Sequence, residues 1–350
     1  MIRIFKIACV LSMAFLFGAC PKDDAPQTVV VTPYAVQYPI DLANIETFLK
    51  ENSMIVSSEF DVTFKRIASP NVDNDVSIMN QTTYPIKNTV VKGPGGLDYK
   101  LYYIQFREGI KDKPTAVDSI FVSYKGDYLR KNNDNVVTNT NFETVLNPTW
   151  FELLINSRGE EVIKGWQEMF ILFKSGTTAD GGSGQTNYFD FGAGIMFLPS
   201  GLSYYNRSAG IIPVYSPLIF SFKLKGVRFM DHDRDGILSK DEDLPKNGDL
   251  YGDGFFTNDD TDGDGFQNFQ DIDDDGDGAF TRDEIRKPTP LTAGQGTSAY
   301  YPFNPISDNP STTLNESEPK GIPDASGNGI LLTRTRRHLD KNAKPPYTNY

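Results

Sequence analysis

Apolar and polar residues alternate with a different rhythm in successive stretches of the chain. Residues 7–17 form one apolar run behind Arg3 and Lys6 and before the small residues Gly18 and Ala19. It is shorter than the roughly 20 residues a bilayer-spanning helix needs, so it reads as a cleaved signal segment. Asp41–Lys50 carries apolar residues at 42, 45, 48 and 49. That spacing predicts a short amphipathic helix with Asp41 as its N-cap. From 53 to 96, strand-like fragments (Ile55-Val56, Phe60–Phe64) are mixed with Asn, Pro and Gly. Alternating or continuous β-formers then recur at Tyr99–Phe106, Ser119–Tyr124, Ile195–Leu198 and Leu218–Val227, with one helical stretch at Gly165–Phe173. Mostly antiparallel β-structure with a single packing helix is an α+β plan. Gly176–Gly194, with Gly181, Gly182 and Gly184, reads as an inserted flexible loop.

The predicted organisation is a signal peptide (1–19), a tether (20–40), a helix-containing N-terminal segment (41–96), a β-rich domain (97–228), an aspartate-rich segment (229–286) and a tail (287–350). The tail is rich in Pro, Thr, Ser and Asn. It reads as lacking a core of its own, with a strand-like Ile330–Leu332 and a solvated basic patch at Arg334–Arg337.

Composition sharpens this picture. The chain has 350 residues and a net charge of −12, which argues against a nucleic-acid partner. The acidity is local: residues 231–284 hold 19 Asp and Glu against 4 Lys and Arg, so the rest of the chain carries a net +3. Cys9 and Cys20 both belong to the N-terminal apolar stretch, so no disulfide framework or Cys/His zinc site is available. His232 and His338 are the only imidazoles, and both sit in polar, loop-like stretches, which argues against a hydrolytic triad.

Gly18-Ala19-Cys20 resembles a bacterial lipobox, with Phe17 in place of the usual aliphatic residue. The resemblance implies lipidation of Cys20, hence a membrane partner through that anchor. Pro21-Lys22-Asp23-Asp24 is similar to the surface-export signal of Bacteroidetes lipoproteins. It implies a bacterial outer-membrane lipoprotein displayed on the cell surface, with a periplasm-facing orientation as the alternative.

Four runs in the β-rich domain carry a second resemblance: Val122–Gly126, Asn141–Thr144, Glu161–Trp166 and Leu198–Tyr204, the last continuing through Gly210–Pro213 to Ser216–Phe220. In order and residue type they resemble FK506-binding-protein (FKBP)-type peptidyl-prolyl isomerases. The resemblance implies an FKBP-like antiparallel sheet wrapped on one short helix. It puts Trp166 at the floor of an apolar pocket, with Tyr124, Phe142, Phe151, Val162, Ile163, Tyr204, Ile212 and Phe220 around it. The Ile163 backbone and the Tyr204 hydroxyl would hold the carbonyls of a proline-containing polypeptide, and Glu143 would accept a hydrogen bond from Tyr124. Glu143 stands where the family usually has Asp, and Tyr205 where it usually has Gly. These departures bear on substrate range and rate, and leave a non-catalytic binding, adhesion or chaperone lipoprotein as the alternative. No organic cofactor is implied.

The aspartate-rich segment has its own chemistry. Asp231, Asp233 and Asp235 with Gly236 and Glu242, and Asp273, Asp275 and Asp277 with Gly278 and Glu284, place oxygen ligands at loop positions 1, 3, 5 and 12. Hard cations taking 6 to 8 oxygens require such a set, so calcium is the expected ion. Asp260, Asp262, Asp264 and Asp271 form a third loop, ending in the shorter Asp; a fourth stretch, 249–260, has Tyr251 at position 3 and is doubtful. The close spacing resembles thrombospondin type 3 or dockerin repeats, which implies a segment that folds around several structural ions.

Overall fold

The central strands are apolar on both sides, and they form the middle of a sheet covered on both faces. In the computed structural model, which describes residues 31–155, 162–244, 259–288, 296–313 and 315–347, this sheet has six strands in the order β3-β4-β9-β10-β5-β6, every neighbouring pair antiparallel. They are β3 (Ile86–Gly93), β4 (Leu97–Arg107), β5 (Ser119–Lys131), β6 (Val137–Glu152), β9 (Gly192–Leu198) and β10 (Leu218–Arg228). Alternate side chains of one strand serve opposite cores. Tyr99, Leu101, Met196, Leu198, Phe220 and Phe222 face the helix α2 (Lys164–Phe170). Tyr102, Ile104, Ile195, Phe197 and Ile219 face the helix α1 (Tyr34–Glu51) and the hairpin β1 (Asn52–Val56) and β2 (Val62–Arg66). This mixed helix and antiparallel sheet is consistent with the expected FKBP-like α+β plan. From Tyr34 onward the chain forms one compact unit. No helix among the described residues is long and apolar enough to cross a membrane. The signal segment, Cys20 and most of the doubtful 249–260 loop lie outside the described residues.

Three expectations are corrected. The first helix begins at Tyr34 and runs through Pro39, so Asp41 is not an N-cap; it lies inside the helix, fully buried. Its Oδ1 accepts from Gln37 (2.7 Å), and its Oδ2 accepts from both the amide (2.8 Å) and the hydroxyl (2.6 Å) of Ser200. Burial outweighs these bonds and pushes its pKa up.

The second correction concerns Gly176–Gly194, which holds a hairpin, β7 (Thr177–Asp180) and β8 (Thr186–Phe189), followed by the start of β9. Gly194 is there for contact: a Cβ would stand 2.4 Å from the Ile104 carbonyl oxygen.

The third concerns the basic run of the tail, which is buried rather than solvated. Tyr301, Phe303 and Ile322 pack against Ile237 and Ile285 of the aspartate-rich segment. The arginines expected to be solvated are buried against backbone oxygens: Arg334 Nε donates to Ile322 O (2.6 Å), and an Arg337 guanidinium N–H donates to Arg286 O (3.0 Å). Arg336 also stacks 3.5 Å from the Phe303 ring centre. Ile330–Leu332, expected as a strand, is exposed and forms no strand.

The aspartate-rich segment seats on the sheet domain through Phe269, which packs with Val117 and Leu154. Beside it the buried Asp118 carboxylate accepts from the Met230 amide (3.1 Å) and from the Thr115 amide and hydroxyl (both 2.7 Å). His232 Nε2 lies 3.3 Å from Glu152 at the end of β6.

Replacing Asp41 with Ala removes the acceptor of two buried Ser200 donors. The expected loss is about 1–3 kcal/mol of unfolding free energy, read from urea denaturation of the full chain.

Candidate functional site

Trp166 opens α2 and is almost fully buried beneath the sheet, ringed by aromatic side chains meeting it edge-to-face. Its ring centre lies 4.9 Å from Tyr124, 5.2 Å from Phe151, 5.1 Å from Phe170 and 5.2 Å from Phe220. Interplanar angles of 74–88° are the arrangement that aromatic quadrupoles favour. Phe142 leans on Phe220 at 5.7 Å, and Gly126 makes room for it: a Cβ there would stand 2.4 Å from the Phe142 ring. The indole N–H of Trp166 is buried without an acceptor.

Of the ten residues named from the sequence, Tyr124, Trp166, Ile212 and Phe220 are buried in one cluster, with Phe142, Phe151, Val162, Ile163 and Tyr204 packed against it. Glu143 joins through the Tyr124 hydroxyl, which donates to its Oε2 at 2.7 Å. Burial first, then this carboxylate, raises the Tyr124 pKa, and the same two causes raise that of Tyr204. Both phenols therefore remain protonated donors through the physiological range.

A cleft of about 680 Å³ opens beside the cluster, lined in part by Tyr34, Ile155, Val162, Ile163, Tyr204 and Tyr205. Its wall is where sequence reasoning fell short. Tyr205 has φ +52°, a conformation that favours glycine. Its ring stacks on Tyr34 (3.9 Å between centres) and meets Tyr215 edge-on (5.2 Å). Tyr34, at the start of α1, is thus a lining residue that the sequence had assigned to a tether.

The aspartate loops hold three carboxylate clusters whose nearest oxygens lie within 4.8 Å of one another: Asp233, Asp235, Glu242 and Asp274; Asp260, Asp262 and Asp264; and Asp273, Asp275 and Asp277. Asp231, Asp271 and Glu284, expected as ligands, lie outside these tight groups, and Asp274 was not expected at all. The sequence did hold a hint: Asp274 occupies loop position 2, where the other two loops have His232 and Thr261.

Within each loop several carboxylate oxygens accept from backbone amides, as Asp235 Oδ1 does from Ile237 (2.7 Å) and Asp277 Oδ1 from Ala279 (2.7 Å). The other oxygens of Asp233 and Asp235, both of Glu242, and Glu284 Oε2 are buried without a hydrogen-bond partner, while Asp277 Oδ2 has only an ion pair with Lys344 at 3.8 Å. Burial and then neighbouring carboxylates push Glu242 up to about 11; burial is also the main cause that raises Asp233 to about 8 and Glu284 to about 8. Buried, mutually repelling, orphaned oxygens are the environment a hard cation relieves, so these residues fit calcium.

Comparisons with known proteins bear on the two halves separately. The family model described as BamM C-terminal matches residues 232–314, under a quarter of the chain. The match crosses the compositional boundary at 286, as the shared core of loops and tail does. No curated protein matches. Among solved structures, a peptidyl-prolyl cis-trans isomerase from Pseudomonas syringae pv. tomato is 16% identical, over 57% of this chain and 98% of that one, with TM-score 0.31. FkpA from Escherichia coli is 24% identical over 40% of this chain and 51% of that one, with TM-score 0.27, so this chain spans about half its length. A multi-domain immunophilin from Arabidopsis thaliana is 17% identical over 39% and 45%, with TM-score 0.26. Superpositions this loose add no weight to the site's own geometry.

Tyr124→Phe removes the bond to Glu143 and keeps the ring packing. Its expected cost is about 1.5 kcal/mol in urea unfolding, the lower end for a hydrogen bond to a charged group.

Proposed function

We propose that this protein is a peptidyl-prolyl cis-trans isomerase that acts on X-Pro bonds of exported or surface proteins. The observation that supports this most directly is the edge-to-face aromatic cup over Trp166, with Tyr204, Val162 and Ile163 at the adjoining cleft. Rotation about an X-Pro bond is slow because amide resonance must be broken, a barrier on the order of 18–20 kcal/mol. No nucleophile is needed. A dry aromatic cavity disfavours the polar planar amide more than the twisted state, in which charge separation is smaller. The Trp166 floor would receive the proline ring, and the Tyr204 hydroxyl and Ile163 backbone would hold the flanking carbonyls. Glu143 fixes the Tyr124 ring in the cup wall.

In this reading Cys20 carries the lipid that tethers the chain to the outer membrane, facing the cell surface or the periplasm. The aspartate loops bind structural calcium; the orphaned carboxylate oxygens support that part. Calcium there would supply charge neutralisation and rigidity.

Acceleration of cis-to-trans conversion in a proline-containing tetrapeptide by the mature chain tests the activity. Tyr204→Phe is expected to lower kcat/KM roughly tenfold, the rate equivalent of about 1.4 kcal/mol. A folded protein that binds proline peptides without accelerating their isomerisation would be a binding module. Chelation by EDTA is expected to lower the melting temperature, and calcium to restore it; an unchanged melting curve would end the calcium reading.

A further inference from the structure

The cluster of Asp233, Asp235, Glu242 and Asp274 joins two loops that are separate in the sequence. The first three belong to the loop at 231–242; Asp274 comes from the loop at 273–284. All but Asp233 are nearly sealed from solvent, with relative exposures of 2% for Asp235, 3% for Glu242 and 1% for Asp274. Both oxygens of Glu242, both of Asp274, and one each of Asp233 and Asp235 lack a hydrogen-bond partner. The other oxygens of Asp233 and Asp235 accept from the amides of Asp235 and Ile237, which aims the orphaned ones inward together.

The Arg282 guanidinium favours the charged form of Asp235 from a distance, without pairing with it. Among the described residues no Lys or Arg forms an ion pair with any of the four carboxylates. Arg282 spends a guanidinium N–H on the Arg234 carbonyl (2.9 Å). His338 Nε2 stands 4.0 Å from Asp274, beyond hydrogen-bonding range, and burial among three arginines holds the imidazole neutral. The Asp274 amide donates to Thr281 Oγ1 (3.1 Å), which fixes the residue in the cluster. Four charged acids sharing one small space, three of them buried, would be strongly destabilising unless a cation sits among them or protons neutralise them.

We propose that Asp274 is a ligand to the cation of the first loop, supplied by the last loop, so that one divalent ion clamps the two together. This rests on the calcium reading given above. The four side chains offer six free oxygens, within the 6 to 8 that calcium takes. A conventional loop would close on its own position-12 acid. Here the ion also cross-links the chain on either side of Phe269, the side chain that seats the segment against Val117 and Leu154. Binding at this cluster would therefore hold the whole segment on the sheet domain.

The test is calorimetric titration of calcium into the full mature chain carrying Cys20→Ser, with and without Asp274→Asn, together with melting curves in EDTA and in calcium. Asn keeps the shape and removes the charge. The clamp predicts that Asp274→Asn loses one site or weakens it on the order of tenfold or more. It also predicts a melting temperature in EDTA no lower than that of the parent, since a repelling charge is gone, and a smaller rise on adding calcium. Unchanged stoichiometry and affinities would overturn the inference and leave the calcium reading standing. A lower melting temperature in EDTA with an unchanged calcium-induced rise would make Asp274 a packing residue and overturn it too. A parent that binds no calcium would overturn both, with the isomerase reading decided separately by the peptide assay.

Discussion

The four inner strands of the sheet are covered on both faces, and the placement of everything else follows from what covers them. One face takes α2 and the Trp166 cup, the other takes α1 and the β1–β2 hairpin. A sheet of this kind must be wrapped from both sides, so the N-terminal segment becomes part of the domain it precedes. The buried Asp41 carboxylate then ties α1 to Ser200, four residues before Tyr204. A helix on one side of the sheet thereby steadies the loop that forms the rim of the cleft on the other.

The second half is governed by the opposite problem, an excess of like charge with little apolar surface. Its loops position carboxylates through their own amides and leave the outer oxygens unmatched. The apolar contribution comes from the tail, whose Tyr301, Phe303 and Ile322 cover Ile237 and Ile285. The arginines of the tail are held by stacking and by carbonyl oxygens within that small core. Loops and tail therefore share one apolar core.

Which elements were legible in the sequence follows from where they lie in the sheet. The strands recognised from the pattern, β4, β5, β9 and β10, are the four inner ones, where burial on both faces demands continuous apolar residues. The strands missed, β3 and β6, are its two edges. In β6, exposed positions and Pro148 break the apolar pattern, and an edge strand tolerates both. Nine of the ten pocket residues lie in the ordered runs of matching type, Phe151 being outside them, and they pack in or against one cluster. Tyr34 and Asp274 were not named, because each acts on a partner far away in the sequence.

By itself the sequence determined the inner strands, the helix of Trp166, the local charge and the spacing of the loop carboxylates, since each depends on residues within a few positions of one another. The tertiary structure alone decided that Tyr34, a residue assigned to the tether, lines the cleft, that a basic run is buried, and that an acid at an unused loop position faces another loop's carboxylates. Those outcomes depend on which distant surfaces meet, and burial on meeting changes what a charge or an aromatic ring can do.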